Sequence, residues 1–223
     1  MISISTYTGV NLTMDKIFSL IKTAPDEVLW HFSIDVHNLI MDKYFSHVWE
    51  DNTHKFKYSN HASISERANA LNPDSVLDVG CGFNKYKELI KCSRFVGIDP
   101  YNSAADVKKG VYEYYMDNKD EQFDVVLALG SVNFGSHDKI IAEIDCVDKM
   151  TKPGGTQFWR VNPNTKHNLH SGFHLNELMT WYPWDKAFIE NIAEIYGYEI
   201  KDYQEEINDQ GHTRMYFEFY KYP

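Results

Sequence analysis

Residues 76–86 read VLDVGCGFNKY: a short apolar run carrying one acid, then two glycines and an asparagine. Val76–Val79 predict a buried strand. Gly80 and Gly82 let the backbone bend tightly and approach a ligand that a Cβ would block. The residues on either side of this bend set its frame. SVLDVG, KYKELIKC, RFVGID, FDVVLALG, HDKIIAEIDCVDKMT and GTQFWRV alternate strand-like and helix-like stretches from residue 75 onward. That rhythm predicts an α/β fold around a parallel sheet. Ligands of such sheets sit beyond the carboxyl ends of the strands, which is where residues 78–84 fall.

The bend also selects among ligands. A dinucleotide fingerprint needs a third glycine three residues after Gly82, and Lys85 stands there, so a nicotinamide oxidoreductase is disfavoured. Asp78, two residues before the first glycine, would repel a pyrophosphate and suits a cation carrying an amine and a sulfonium. Asp99 ends the next strand, where an acid can accept hydrogen bonds from ribose hydroxyls. Asp117, in YYMDN, is expected at a third strand or its exit, able to accept from an adenine amine with Met116 packed on the ring.

Asp78-x-Gly80-x-Gly82, Asp99, Met116-Asp117 and FDVVLALG, in this order, resemble class I S-adenosylmethionine-dependent methyltransferases over residues 63–222, with Asn84 where many members have a third glycine (a GCGxN variant). The resemblance implies a Rossmann-like, mostly parallel sheet of seven strands in order 3-2-1-4-5-7-6 with the last antiparallel. It implies S-adenosyl-L-methionine as cofactor and S-adenosyl-L-homocysteine as product. It also implies a cofactor site of Asp78, Gly80, Cys81, Gly82, Asn84, Asp99, Pro100, Met116, Asp117, Leu129 and Gly130.

Around this core, residues 1–62 are expected to form a helical extension or lid and 63–223 the methyltransferase domain. Thr13 can cap one helix, and Pro25 with Asp26 and Glu27 can open a long amphipathic one to about Trp49. KYKELIKC predicts a short helix of about two turns. KPGG at 152–155 predicts a turn before a strand at 156–161. Pro183 and Gly197 bracket a helix, and Met215, Phe217 and Phe219 alternate with Arg214, Tyr216 and Glu218 in a closing antiparallel hairpin. Net charge is −10, which argues against a nucleic-acid acceptor. Three cysteines without metal-ligand spacing argue against a disulfide framework, and no apolar run has membrane length, so a cytoplasmic location is expected. Aromatic content of 15% points to a ring-rich core or pocket.

Methyl transfer from a sulfonium needs alignment and water exclusion, and a base only when the acceptor must lose a proton. Asn133 and His137, after the fourth family strand, are the candidate catalytic groups. The competing structural reading, which is favoured, has Ser136 capping the next helix with His137 in its first turn. Asn162-Pro163-Asn164-Thr165 reads as a loop. His167, His170 and His174 could bind a metal but read better as a polar loop over the acceptor pocket, so no metal is expected. Trp181, Tyr182 and Trp184 could wall that pocket or belong to the core. The acceptor is expected to be a small molecule or a protein side chain. The alternatives are a nucleic-acid methyltransferase and a cofactor-binding module without catalysis.

Overall fold

The computed structural model describes residues 4–5, 11–12, 39, 41, 45, 61–163, 181–207 and 213–223. The chain divides into two compact units, Met1–Asp42 and Lys43–Pro223. In the first, β1 (Ile4–Ser5) and β2 (Asn11–Leu12) pair antiparallel, a feature the helical reading of residues 1–62 did not contain. Leu39, Met41 and Phe45 are helical, in line with the long helix expected there; the rest of that helix, and the one after Thr13, lie outside the described residues.

The second unit holds α1 (His61–Ala70), β3 (Ser75–Val79), a 3-10 turn (Lys85–Glu88), β4 (Arg94–Ile98), α2 (Val111–Asp117), β5 (Phe123–Leu129), α3 (His137–Met150), β6 (Thr151–Val161), α4 (Lys186–Tyr196), β7 (Tyr198–Ile207) and β8 (Thr213–Lys221). Its sheet has six strands in the order β4-β3-β5-β6-β8-β7. β4, β3, β5 and β6 run parallel, and β8 is antiparallel to both neighbours. This is the expected order less one strand. Where the third strand of the family pattern should flank β4, Val107 alone bridges Ile98 in parallel. The loop supplies the remaining bonds: Asp106 N and Val107 N donate to Gly97 O at 2.9 and 3.2 Å, and Gly97 N donates to the Asp106 carboxylate at 2.9 Å.

The central strands are buried on both faces, which explains their unbroken apolar runs. Leu77, Val79, Val126, Ala128, Trp159 and Val161 face α2, α3 and α4. Val76, Val125, Leu127 and Phe158 face Ile64 and Ala68 of α1 and Tyr86 of the 3-10 turn. Most described rings serve this core. Trp159 stacks on Phe217 at 5.7 Å and lies 6.1 Å from Trp184. Its indole N–H donates to Gln157 at 2.9 Å, so the large buried ring leaves no orphan donor.

Local signals behave as their chemistry dictates. Ser136 caps α3, accepting from Lys139 N at 3.3 Å, and Asp185 caps α4, accepting from Phe188 N at 2.7 Å. Gly197 ends α4 at φ +68°, in the left-handed region. Met215, Phe217 and Phe219 join the core cluster under α4, and Tyr216 the opposite one, as the alternation predicts. Two expectations are corrected. KYKELIKC makes one 3-10 turn of four residues rather than two α-turns. The KPGG segment lies inside β6 as a register irregularity against β5, because Thr151 already pairs with Phe123 before pairing resumes at Val125–Thr156. No helix among the described residues is long and apolar enough to cross a membrane.

Candidate active site

The four parallel strands place their carboxyl ends along one edge, and the polar groups predicted from the sequence gather there. Asp78 is 2% exposed, and its Oδ2 has no hydrogen-bond partner. Burial, reinforced by the negative charge of Asp99 and partly offset by Lys85, raises its carboxyl to about 7. A buried acid that retains an orphan oxygen is costly by itself and becomes favourable once a cation faces it.

Gly80 (φ +68°) and Gly82 (φ +53°) turn the chain out of β3. A Cβ on Gly80 would lie 2.3 Å from Cβ of Ser131, so the tips of β3 and β5 can close together only over a glycine. The bend is held from β4: Gly80 N and Cys81 N donate to Ile98 O at 2.8 and 3.0 Å. Asp99 completes the hold. Its Oδ2 accepts from Gly82 N at 3.0 Å, and its Oδ1 accepts from Tyr101 N and Asn102 N, both at 2.8 Å. A carboxylate offers about four acceptor sites. Three are used by the backbone, which leaves one acceptor site on Oδ2.

Asn84 follows the glycine bend and caps the 3-10 turn. It takes φ +55°, which explains why the residue at the third-glycine position is asparagine, the side chain most tolerant of that region. The amide turns away from the bend and donates to Asp106 at 3.1 Å and to Ala104 O at 3.3 Å. It braces the glycine loop against the loop after β4. Cys81 is buried and its thiol is pushed far up by burial, with Asp78 and Asp99 adding to it, so it is an inert wall.

Met116 and Asp117 require correction. They are not at a strand exit but at the C-terminal end of α2, which descends from the carboxyl edge toward the start of β5. Met116 is exposed, and Asp117 forms an ion pair with Lys109. The segment that passes the carboxyl edge beside Asp99 is Lys108–Gly110, directly after the Val107 bridge. Sequence reading missed it because one bridging valine in a polar loop has no period to detect. Leu129, Gly130 and Pro100 do fall at this edge, ending β5 and following Asp99.

On the acceptor side, Asn133 is fully buried. Its Oδ1 accepts from Asn162 N at 2.9 Å and its carbonyl from Tyr182 N at 2.8 Å, tying together the segments after β5, after β6 and before α4. It therefore positions these loops. Asn133 Nδ2, Asn162 Oδ1, Ser131 Oγ and Trp181 Nε1 are buried polar atoms without partners in the same neighbourhood. His137 opens α3, is exposed, and its Nδ1 lies 2.7 Å from the Tyr182 hydroxyl. Tyr182 and Trp184 belong to the core, with Trp184 Nε1 donating to Val132 O at 2.9 Å. Trp181 instead packs on Phe134 at 4.5 Å, which in turn meets Phe45 edge-on at 5.4 Å. Phe45 stacks on Tyr101 at 4.7 Å. Four rings thus line the rim from the end of β4 to the segment before α4.

His167, His170, His174, Asn164 and Thr165 lie outside the described residues. Among the described residues no group of three or more His, Cys, Asp or Glu is arranged to hold a metal. A groove of about 770 Å³ opens at the opposite, amino edge, between Arg67, Asp124, Lys201 and Glu218. Its charges largely satisfy one another: Arg67 with Glu218, Lys152 with Asp124, and Lys201 with Glu199. The orphan polar atoms of Asp78, Ser131, Asn133 and Asn162 lie at the other edge, which makes it the candidate site.

The strand order and the antiparallel β8 are those of the Rossmann-like fold of class I S-adenosylmethionine-dependent methyltransferases. No family model matches the chain, and no curated protein does. Solved structures do match. The N-methyltransferase NodS from Bradyrhizobium japonicum WM9 is similar at 14% identity, over 78% of this chain and 99% of that one, with a TM-score of 0.57. The 1,6-didemethyltoxoflavin-N1-methyltransferase of Burkholderia thailandensis, solved with 1,6-didemethyltoxoflavin and S-adenosylhomocysteine, is 16% identical over 90% of this chain and 92% of that one, with a TM-score of 0.59. Magnesium protoporphyrin IX methyltransferase from Synechocystis PCC 6803, solved with S-adenosylmethionine, is 13% identical over 73% and 78%, with a TM-score of 0.53.

Proposed function

We propose that this chain is an S-adenosylmethionine-dependent methyltransferase acting on a small molecule or an exposed protein side chain. The observation that carries the reading is Asp78: a buried carboxyl with an orphan oxygen, at a strand tip beside a glycine bend that Asp99 holds open to one further hydrogen bond. These groups fit the cofactor. Asp78 would hold its ammonium, and Asp99 a ribose hydroxyl. The cofactor, when bound, supplies an electrophilic methyl group on a sulfonium.

The chain's own residues align and exclude. Gly80 and Gly82 let the backbone approach the ligand. The rings Tyr101, Phe45, Phe134 and Trp181 keep water from the rim. His137, hydrogen-bonded to Tyr182, is the described imidazole on the acceptor side placed to take the proton of an acceptor that must lose one. Asn133 acts one step removed, by fixing the loops that carry such groups.

Calorimetry with S-adenosylhomocysteine tests the reading. Wild type should bind, and Asp78→Asn should bind at least about 10-fold more weakly, the worth of one charge-assisted hydrogen bond. Equal affinities would refute the ammonium assignment. Binding without turnover on any acceptor would favour a non-catalytic module.

A further inference from the structure

We infer that the acceptor presents a neutral amide, an N–H beside a C=O as in a lactam or a carboxamide, and that Asn133 and Asn162 bind it. This rests on the methyltransferase reading and adds the acceptor's chemical class to it. Asn133 is fully buried and Asn162 is 6% exposed. The Asn133 amide is used on one side: its Oδ1 accepts from Asn162 N at 2.9 Å, which leaves Nδ2 a donor without a partner among the described residues. Asn162 Oδ1 is an acceptor in the same condition. The 2.9 Å bond makes the two residues neighbours, yet the spare donor and the spare acceptor do not bond each other. Buried polar groups are rarely left so, and each of these calls for a third group.

The chemistry of the pair selects that group. Asn133 Nδ2 needs an acceptor and Asn162 Oδ1 needs a donor. An ionised carboxylate offers acceptors alone and would leave Asn162 Oδ1 unpaired. An ammonium offers donors alone and would leave Asn133 Nδ2 unpaired. An amide carries one of each on adjacent atoms and brings no charge into a buried place. Trp181 borders the same spot. Phe134 and Trp181 form an antiparallel bridge with their rings 4.5 Å apart, and Tyr182 N donates to Asn133 O at 2.8 Å. The indole Nε1 is a further buried donor without a partner among the described residues.

Position assigns the pair to the acceptor. Ser131 Cβ lies 2.3 Å from where a Cβ on Gly80 would stand, so the segment leaving β5 starts against the glycine bend. Asn133 comes two residues later, and Asn162 directly follows β6. The acids assigned to the cofactor stand on the other side of that bend, Asp78 in β3 and Asp99 just after β4. In the order β4-β3-β5-β6, the asparagine pair therefore lies beyond the cofactor groups and next to the bend they share.

The experiment uses the full chain saturated with S-adenosylhomocysteine. Ligand-observed NMR titration compares 2-pyridone, a planar lactam, with N-methyl-2-pyridone, which lacks the N–H. Wild type should bind 2-pyridone with a Kd of about 1 mM, the range open to so small a molecule, and about 10-fold more tightly than the N-methyl compound. Asn162→Leu removes the side-chain acceptor and keeps the backbone N–H that Asn133 holds. It should bring the two lactams within about twofold of each other, while S-adenosylhomocysteine affinity stays within about threefold of wild type. Equal binding of the two lactams by wild type, or a preference that survives in Asn162→Leu, would overturn the inference. So would no binding of 2-pyridone at about 20 mM, which would leave the pair to ordered water. A loss of S-adenosylhomocysteine affinity of about 10-fold or more in Asn162→Leu would move the residue to the cofactor and overturn it too. Phenol bound more tightly than 2-pyridone by wild type and not by Asn162→Leu would replace the amide with a hydroxyl. Should Asn162→Leu not fold, Asn162→Ala serves in its place with the same criteria. Failure of wild type to bind S-adenosylhomocysteine would sink the methyltransferase reading itself and the inference with it, an outcome distinct from the others.

Discussion

Lowering the pH through 7 should weaken cofactor binding, and the size of the effect is set by Asp78. In the free protein its carboxyl is held at about 7, chiefly by burial. Facing an ammonium, it would return toward the ordinary carboxylate range of about 4. The bound state then holds fewer protons than the free state between these two values, so affinity rises with pH across that window. Apparent Kd scales as (1 + 10^(7−pH))/(1 + 10^(4−pH)), which gives about 10-fold weaker binding at pH 6 than at pH 8 and about 80-fold at pH 5. The assay is calorimetry of S-adenosylhomocysteine at pH 5, 6, 7 and 8 in two buffers of different ionisation enthalpy, reporting Kd and the protons released. Release should be about half a proton per site at pH 7 and nearly one at pH 5.5. Above pH 8 the ligand's own amine begins to deprotonate and affinity turns down again. Asp78→Asn should flatten the acid limb. A wild-type Kd constant between pH 5 and 7, or an acid limb that survives in Asp78→Asn, would refute the assignment of the buried carboxyl to the ligand's cation.

The same residue makes an opposite prediction for the free protein. Its folded pKa is raised above the unfolded value of 3.8, so its contribution to stability is lost as pH rises from about 4 to 7, by about 4 kcal/mol when complete. Asp78→Asn should therefore raise the Tm of ligand-free protein at pH 8 and change it little at pH 4, read by calorimetric melting. Gly97→Ala should disturb the glycine bend without touching ligand, because its Cβ would meet Asn84 Oδ1 at 2.2 Å and that amide is anchored on Asp106. About 1–3 kcal/mol of stability should go with it, by urea unfolding, along with homocysteine-cofactor affinity. Asn133→Ala should cost about 1–3 kcal/mol by leaving the buried Asn162 N–H unpaired, with slower turnover through misplaced loops. Gly197→Ala, where nothing lies within 4 Å of the added Cβ, should cost about 1 kcal/mol from backbone strain alone and leave ligand binding unchanged.

Much of the fold could be read from residue order because its signals are local. Continuous burial of SVLDV and FDVVLAL, the Ser136 cap, Gly197 and the alternation in TRMYFEFYK each encode an element through short-range chemistry. What sequence misplaced is governed by partners far along the chain. Met116-Asp117 looks like a strand exit until the one-residue Val107 bridge shows that the strand has shrunk and the next segment has become helix. The strand-tip bend was legible in Asp78, the two glycines and Asp99, since it is a contiguous motif. Asn84 was read at the bend it occupies, but its bonds to Asp106 and Ala104 were not legible, because a positive φ leaves no trace of where the side chain turns. The fold of Arg160 over the bare Gly130 tip was not legible, since the two are thirty residues apart in sequence and adjacent only in the sheet.

The single-residue bridge at Val107 also bears on how the molecule keeps to itself. β4 is the outermost strand of its sheet, and a margin of free amides invites another chain to add a strand. Gly97 offers no such invitation, since Asp106 caps its amide with a carboxylate and its carbonyl with a backbone N–H. One acidic side chain, itself gripped by Asn84 and Lys87, does the sealing that a whole strand would do, and places a charge where an intruding peptide would have to dock.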